Sequence, residues 1–483
     1  MKPKDKKNIP TQNEIEAWVT ARETARALSA ISAWVNAHKR VESSSIQAAN
    51  WLRRLGRYSE ALRVLVTEKD IPVEGRRRLW IGYILNLMGA SEWAIRMVEN
   101  LKVSQPEDHL IKAMVFADNN ELMRALPHFE AYLSRPLAGV FKLAMAKLAA
   151  ADTYAFLDRF AEAHALLDQV AVNDKSEMNS LLQGIVLQAR GEYYAREKRF
   201  AEALGPLEEA ESFFPMGENT IDRVILYKWR GYARWFQNRR DEALTDFEAA
   251  RKMIMDLRLR PEVWVDLQRI KYDLKLISEE EWARAYYFPG LTEGYRKFVL
   301  SNHYAPPSPC IISLGGSKKD TLVLDLSHED SKVNGKLNHG LTKEEILLAS
   351  LVVAYPQKVS WVRLKSVLWP DQLFNFMKLE NRLFALMRRL ESEFKIKAYL
   401  EDGMVSLGRS EKFFIQVRVG PDLGPRFLHE IASEQTFKTC DLELFYDLSP
   451  SRAKELLLEW KKMGLIEAFG RARLTYYRKI PSP

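Results

Sequence analysis

The feature that most constrains the fold is a short motif that recurs at nearly regular intervals through the first half of the chain. It is clearest at residues 56–62, GRYSEAL, where Ala61 is the sixth residue. In degraded copies of the motif, the corresponding alanines are Ala94, Ala125, Ala163, Ala203 and Ala243. The intervals between successive alanines are 33, 31, 38, 40 and 40 residues. A period of this size is typical of stacked helical hairpins, so the pattern predicts about six of them.

Two of the copies carry additional residues at positions that favour close helix packing. One copy contains Gly191, Tyr194, Phe200, Glu202, Ala203, Ala210 and Pro215, and the next keeps Gly231, Glu242, Ala243, Phe247 and Ala250. Small residues at the crossing let two helices approach each other. We expect Pro127 and Pro206 to kink the second helices in which they fall. Residues 14–39 are predicted to form a leading cap, and residues 262–287 the trailing helices.

These copies resemble tetratricopeptide repeats. The resemblance implies a mainly α fold, a solenoid whose concave face binds a protein, a peptide or a small signal. Aromatic and basic side chains of the last repeats form a candidate groove on that face, namely Tyr194, Arg230, Arg234 and Trp235. The alternative is that the aromatic rings only pack between neighbouring helices and that the arginines form a solvated face.

Residues 341–407 have the order of elements of a winged helix. Thr342 and Glu345 form a predicted capping box at the start of one apolar-faced helix. A short helix follows at residues 360–369 and ends at Pro370, and a longer one covers residues 378–394. A hairpin turning near Gly403 would be the wing.

This order resembles the effector domain of OmpR-type response regulators and of the related bacterial transcriptional activators. Cys310–Leu314 and residues 321–326 alternate like strands, which matches the small sheet that precedes the helices in that family. The resemblance covers about a fifth of the chain. It implies that residues 309–410 form an α+β domain that binds double-stranded DNA.

The polar face of the long helix is the candidate DNA-reading surface. Its residues are Lys378, Asn381, Arg388 and Arg389, of which Asn381 and Arg388 are the candidates for contacts with base edges. Glu391, Glu393, Glu401 and Asp402 depart from the basic character of the family. Carboxylates repel a phosphate backbone, so a domain that docks proteins is the alternative.

A second helix-turn-helix pattern lies at the carboxyl end. Helices are predicted at residues 427–437, at residues 441–446 and from Pro450 onward, followed by a hairpin over residues 467–479. Residues 449–479 contain eight basic and three acidic side chains, an excess of five positive charges. The pattern resembles a generic winged helix of bacterial regulators. Its candidate DNA contacts, mainly to phosphates, are Arg452, Lys454, Lys461, Lys462, Arg471 and Arg473, although each single cation could equally only solvate the domain.

The patterns divide the chain as follows. A basic tail (1–13) precedes the repeat domain (14–290), a linker (291–308), an OmpR-like winged helix (309–410), a second linker (411–426) and a second winged helix (427–483). The net charge of +8 permits nucleic-acid or acidic-protein partners without requiring either. Two cysteines and scattered histidines give no disulfide framework and no metal-ligand spacing. We therefore expect no enzyme activity, no cofactor and no metal.

The amino terminus lacks the apolar core of a signal peptide, and no run is apolar enough to cross a membrane. A cytoplasmic location is expected. Two functions of different classes stay open. The first is a DNA-binding transcription regulator whose repeats sense a partner or a signal, with a homodimer as one assembly. The second is a non-enzymatic scaffold that docks proteins through both its repeats and its winged helices.

Overall fold

The structure is a computed structural model. It describes residues 10–38, 41–66, 75–103, 105–134, 140–171, 177–214, 220–256, 261–292, 295, 310–315, 321–326, 330–333, 336–370, 372, 376–401, 403–408, 414–419, 436–446, 450–462, 466–470 and 475–479.

Helices dominate the first part of the chain. Their bounds are α1 Gln12–Thr20, α2 Thr24–Ala37, α3 Glu42–Arg54, α4 Tyr58–Leu65, α5 Arg76–Leu87, α6 Ser91–Val98, α7 Pro106–Asp118, α8 Leu122–Leu133, α9 Val140–Phe156, α10 Phe160–Ala171, α11 Glu177–Arg196, α12 Phe200–Ala210, α13 Thr220–Phe236, α14 Arg240–Asp256, α15 Pro261–Asp273 and α16 Glu279–Tyr286. Six successive pairs, from α3 with α4 to α13 with α14, pack as hairpins. The mainly helical, repeat-like fold predicted for this part is confirmed.

Every one of these six hairpins turns in the same way. A residue with positive φ, between 57° and 76°, lies between the two helices, at Gly56, Gly89, Asn120, Asp158, Lys198 and Asn238. This left-handed conformation ends a helix, because the chain can no longer continue the i to i−4 ladder. The motif alanine follows five residues later and is 0% exposed in all six hairpins. The second helix therefore starts in the same register each time.

Two glycines permit the close crossings that the sequence predicted. A Cβ on Gly191 would lie 2.9 Å from Cδ2 of Leu207 and 3.0 Å from the carbonyl oxygen of Ala203. A Cβ on Gly231 would lie 2.8 Å from Cε1 of Phe247. The two prolines do not end their helices, since α8 continues through Pro127 and α12 continues through Pro206.

The chain that follows α16 packs back against the helical array. Phe288, Leu291, Thr292 and Tyr295 of this segment are all buried. Thr292 donates a hydrogen bond from Oγ1 to the carbonyl oxygen of Asn119 at 3.3 Å. The hydroxyl of Tyr295 donates to the carbonyl oxygen of Glu262 at 3.4 Å. The segment therefore connects the α7–α8 turn with the start of α15.

A five-stranded sheet follows, with the order β1-β8-β2-β3-β4. Its strands are β1 Cys310–Leu314, β2 Thr321–Asp325, β3 Asp330–Val333, β4 Lys336–His339 and, much later, β8 Phe414–Val419. The sequence analysis places residues 411–426 in a linker, but β8 pairs antiparallel with β1 and parallel with β2. Its alternating residues Ile415, Val417 and Val419 are buried in the sheet core, a signal too short to stand out beside the stronger helical patterns.

Two small modules carry the remaining elements. Module 1 consists of α17 Lys343–Ala354, β5 Val359–Ser360, α18 Trp361–Leu368, α19 Phe376–Phe394, β6 Ala398–Glu401 and β7 Met404–Leu407. Its strands are ordered β5-β7-β6. The predicted capping box is present, because Thr342 Oγ1 accepts from the amide of Glu345, and Glu345 accepts from the amide of Thr342 at 2.8 Å.

Module 2 consists of β9 Thr436–Phe437, α20 Thr439–Tyr446, α21 Pro450–Lys462, β10 Ile466–Phe469 and β11 Tyr476–Lys479. Its strands are ordered β10-β11-β9. Leu442, Ala453, Leu456, Leu457 and Trp460 form its core. The helix predicted at residues 427–437 falls mostly outside the described residues, and its last two residues form β9.

Helix α18 of module 1 is buried against the helical array. Arg363 is 1% exposed, and its guanidinium donates to the carbonyl oxygens of Gly89 and Pro289 and, at 2.7 Å, to the carboxylate of Glu262. Trp93 of α6 donates from Nε1 to the carbonyl oxygen of Pro370 at 2.9 Å. Sequence reasoning did not find this interface. A buried arginine is costly unless several acceptors surround it, and these three come from distant parts of the chain.

Helix α16 attaches the array to the sheet. Arg284 donates to the carbonyl oxygen of Val352 in α17 at 2.7 Å and to that of Ser313 in β1 at 2.6 Å. The array, the sheet and module 1 are thus packed together. Within the described part of the chain, no helix is both long and apolar enough to cross a membrane.

Candidate functional site

The candidate DNA-reading face of α19 points away from the module core. Asn381 and Arg388 are exposed, whereas Leu379, Leu383, Leu386 and Leu390 are buried on the opposite side. Phe384, which is 39% exposed, follows Asn381 by three residues, and Arg388 follows Asn381 by seven. At this helical spacing the three side chains share one face of α19. Lys378 belongs to the same helix, but its side chain lies outside the described residues.

This face borders an open cleft of about 430 Å³. Its lining residues are Asn381, Phe384, Met387, Arg388, Glu391 and Ala398. The cleft combines three apolar side chains with amide, guanidinium and carboxylate groups. It can therefore accept either a base edge or the side chain of a protein partner.

The acidic residues near α19 are largely paired with cations of the same module. Glu391 lies 3.2 Å from Nζ of Lys397, and Glu401 of the hairpin lies 3.2 Å from Nζ of Lys358. Arg389 is paired with Glu344 of α17. All are substantially solvent-accessible except Glu344, so solvent screens these pairs and they contribute little to stability. Asp402 lies outside the described residues.

Module 2 presents a comparable helix face. Lys454 and Lys461 of α21 are exposed, and Leu458, which is 59% exposed, lies between them. The side chains of Arg452 and Lys462 lie outside the described residues, as do Arg471 and Arg473 altogether. Arg478 is paired with Glu467 across the hairpin at 2.6 Å. The described part of the predicted basic surface is therefore centred on α21.

The candidate groove residues of the array are held by contacts within the array. Arg230 donates to Asp246 at 2.7 Å and also pairs with Glu211. Arg234 donates to the same Asp246 at 2.9 Å. The carboxylates that surround it raise the pKa of Arg230 against the opposing effect of its burial, so its charge is neutralised internally.

Tyr194 and Trp235 are half-buried. Arg199 covers the ring of Tyr194 at 4.4 Å and Arg240 that of Trp235 at 5.1 Å. Four candidate groove residues thus have partners inside the chain, and whether a ligand contacts them stays a prediction.

Sequence reasoning missed a second group, on the helices that open successive hairpins. Asp152 of α9 accepts a hydrogen bond from the hydroxyl of Tyr193 of α11 at 2.6 Å. Burial, followed by the nearby Glu192 carboxylate, raises the pKa of Asp152 to about 7. Burial alone raises the pKa of Asp222 of α13 to about 6. The signal was weak in the sequence, because one carboxylate in each of several separate helices forms no motif.

Asp266 of α15 has the opposite behaviour. Its burial would raise its pKa, but the charges of Lys228 and Arg269 outweigh burial and hold the pKa well below its usual range. Arg269 lies 2.9 Å away, and Lys228 makes a close ion pair. Paired and unpaired carboxylates therefore lie within the same array.

Comparison with known proteins adds little beyond this geometry. No protein-family model matches the chain, and no curated protein matches it. Among solved structures, the chain is similar to the crystal structure of a tetratricopeptide repeat protein from Parabacteroides merdae. The two are 18% identical with a TM-score of 0.37, and the match covers 54% of this chain and 96% of the other.

Proposed function

We propose that this chain is a DNA-binding regulator in which modules 1 and 2 are winged helices presented by the helical array. The observation that carries the proposal is that the two modules share one arrangement. In each module, a short strand is followed by two helices and a hairpin, and the short strand pairs with the second strand of the hairpin. This is the order of a helix-turn-helix with a wing, whose second helix of the motif enters the major groove.

The exposed faces of α19 and α21 fit this role chemically. An asparagine can pair with adenine and an arginine with guanine in the major groove, and an apolar ring can contact the methyl group of thymine. Asn381, Arg388 and Phe384 supply these three groups on one face of α19. On α21, Lys454 and Lys461 flank Leu458 in the same way, and lysines suit phosphate contacts.

The packing of module 1 on the array is compatible with DNA binding. The array buries α18 and leaves the face of α19 that carries Asn381 and Arg388 exposed. The interface with the array buries α18, whereas α19 is the helix that would enter the major groove. The array can therefore hold module 1 rigidly without covering the face of α19 that would contact DNA.

The test is retention of a random DNA duplex pool by the full chain across a salt series, with sequencing of the retained fraction. The full chain is required because α18 is buried against the array. We expect a steep salt dependence, since each neutralised phosphate contributes about 0.9 to the slope, and an enriched sequence motif. No retention at low salt would contradict the proposal.

A second candidate function, docking of a protein partner, is favoured by one observation. Phe384 is exposed in the cleft bordered by Glu391, a carboxylate that would face DNA phosphate if a duplex lay there. Substitution Phe384→Ser separates the two candidates. If Phe384 contacts a thymine methyl group, the variant should lose sequence preference at one position of the DNA site, and the dependence of binding on salt should stay the same. If the face docks a protein instead, neither the wild type nor the variant should retain the duplex.

A further inference from the structure

We propose that the cleft beside α19 binds an extended peptide segment of a partner protein, which joins module 1 as an additional strand along the free edge of β6. The peptide places a large apolar side chain in the cleft and an acidic side chain at its rim. The proposal rests on the second candidate function, docking of a protein partner, and specifies that partner. It does not depend on DNA binding, so the two can fail separately.

Strand β6 has an edge whose outward backbone groups follow from the register. In the described part of the chain, β6 is paired on one side only, with β7. Gly408 donates from its amide to the carbonyl oxygen of Lys397 at 2.7 Å. These two residues lie opposite each other, just before Ala398 in β6 and just after its partner in β7. Bonded and non-bonded pairs alternate along an antiparallel ladder, so the N–H and C=O groups of Ala398 and Leu400 point away from β7.

This free edge borders the cleft. Ala398 lines the cleft together with five residues of α19. Among the described residues, the outward N–H and C=O groups of Ala398 and Leu400 have no backbone partner. Such groups are a template for pairing with another chain, and addition of an extended peptide to a strand edge is a recurring mode of recognition. The edge therefore favours a partner whose backbone is extended at this place.

The cleft supplies an apolar site beside that edge. Phe384 is 39% exposed and Met387 is half-buried, and both line the cleft with Ala398. The volume of about 430 Å³ lies within the range of pockets that hold a small ligand, so a large side chain of the peptide fits. Side chains of a strand alternate between its two faces. Every second residue of the added strand would therefore face α19.

The charge at the cleft favours an acidic residue in the peptide. Arg388 lines the cleft and has no ion pair among the described residues. The carboxylate of Glu391 is already paired with Nζ of Lys397 at 3.2 Å. Arg388 lies four residues beyond Phe384, which is about 6 Å along a helix. Two residues of a strand span about 6.6 Å, so in a peptide that runs along α19 an acidic residue two positions from the apolar one would meet Arg388.

Peptide and duplex would compete for one surface. Asn381 and Arg388 line the same cleft, so a bound peptide covers the two side chains that are proposed to contact base edges. If both proposals hold, the two ligands exclude each other. A partner protein that supplies the peptide would then release the chain from DNA.

The experiment is selection of a phage-displayed library of random linear peptides on the immobilised full chain. We expect enrichment of peptides that carry a large apolar residue two positions from an aspartate or a glutamate. One such peptide is then synthesised with a fluorescent label, and its binding is measured by fluorescence anisotropy. Phe384→Ser should weaken binding at least tenfold. The matched control Phe236→Ser, which changes an exposed ring of α13, should leave binding unchanged.

Strand addition itself is tested by methylating single backbone nitrogens of the peptide. Each methyl group removes one donor, and only alternate residues of a strand direct their N–H groups to a given neighbour. Methylation at alternate positions should therefore weaken binding at least tenfold, and methylation at the positions between them should have little effect. In the protein, Ala398→Pro removes an outward N–H from an edge strand, where proline is tolerated, and should weaken binding similarly. Urea unfolding of each protein variant checks that its fold is kept.

An alternating effect of methylation, together with the loss in Phe384→Ser, would support the proposal. No enriched peptide, equal effects of methylation at every position, unchanged binding by Phe384→Ser, or equal weakening by Phe236→Ser would each overturn it. Retention of the DNA duplex is measured separately. A chain that retains duplex and enriches no peptide keeps the DNA proposal and loses this one.

Discussion

Two helices of module 1 that follow each other in the chain have opposite surroundings. On α18, Arg363 is 1% exposed and its guanidinium has three acceptors from distant parts of the array. On α19, Arg388 is exposed and lines an open cleft. An arginine thus holds module 1 on the array in one helix, and an arginine in the next helix is available to a ligand. The difference teaches that burial and partners, not residue identity, decide which basic residue is available to a ligand.

The largest effect is expected from removal of the buried guanidinium. Arg363→Ala leaves the Glu262 carboxylate and two carbonyl oxygens without their donor, which costs about 3–5 kcal/mol for a buried pair. The measurement is the free energy of unfolding in urea. Arg389→Ala, which removes an arginine paired with Glu344 at the surface, is the control and should cost at most about 1 kcal/mol. Equal losses for the two variants would show that the buried contacts of Arg363 contribute no more to the free energy of unfolding than a surface ion pair does.

A smaller effect is expected from crowding the same interface. Gly290 has a φ of +75°, and a Cβ there would lie 3.0 Å from Cδ of Arg363. Gly290→Ala should therefore lower the unfolding free energy by about 1–3 kcal/mol. In the control Gly205→Ala, a Cβ on α12 meets nothing within 4 Å, and the higher helix propensity of alanine should raise stability slightly. If both changes stabilised the protein, the described contact would be contradicted.

The exposed arginine should affect binding and leave stability unchanged. Arg388→Ala is expected to weaken a preferred DNA site by about 1–3 kcal/mol and to relax preference at one base pair. Fluorescence anisotropy with the selected site and a scrambled duplex measures both quantities. Arg251→Ala, an exposed arginine of α14 that pairs with Glu248 at 2.7 Å, should leave both unchanged. Equal weakening on both duplexes would remove Arg388 from the list of base contacts.

The smallest effect is expected from one lysine of module 2. Lys454→Gln should weaken binding to all duplexes alike and reduce the salt slope by about one, because one phosphate contact is lost. The slope of binding against salt, measured for two unrelated duplexes, is the readout. A loss confined to one duplex would instead make Lys454 a base-contacting residue.

Some predictions of the sequence depend only on local geometry, and these agree with the structure. The Thr342 capping box and the close crossing at Gly191 are determined by residues a few positions apart or by direct helix contact. Strand β8 and the burial of α18 could not be predicted in this way. Both depend on partners about 100 residues or more away in the sequence. Strand β8 pairs with β1, and Arg363 of α18 bonds to Glu262 and Gly89.

By itself, the sequence determined the hairpin period and the order of the three helices and the hairpin of module 1, because these follow from periodicity and capping over short stretches. Only the tertiary structure decided which charges are available. Arg230 and Arg363 are neutralised by carboxylates from other helices, while Arg388 is exposed beside an open cleft. The physical reason is that charge pairing and desolvation act through space, between side chains that the sequence keeps far apart.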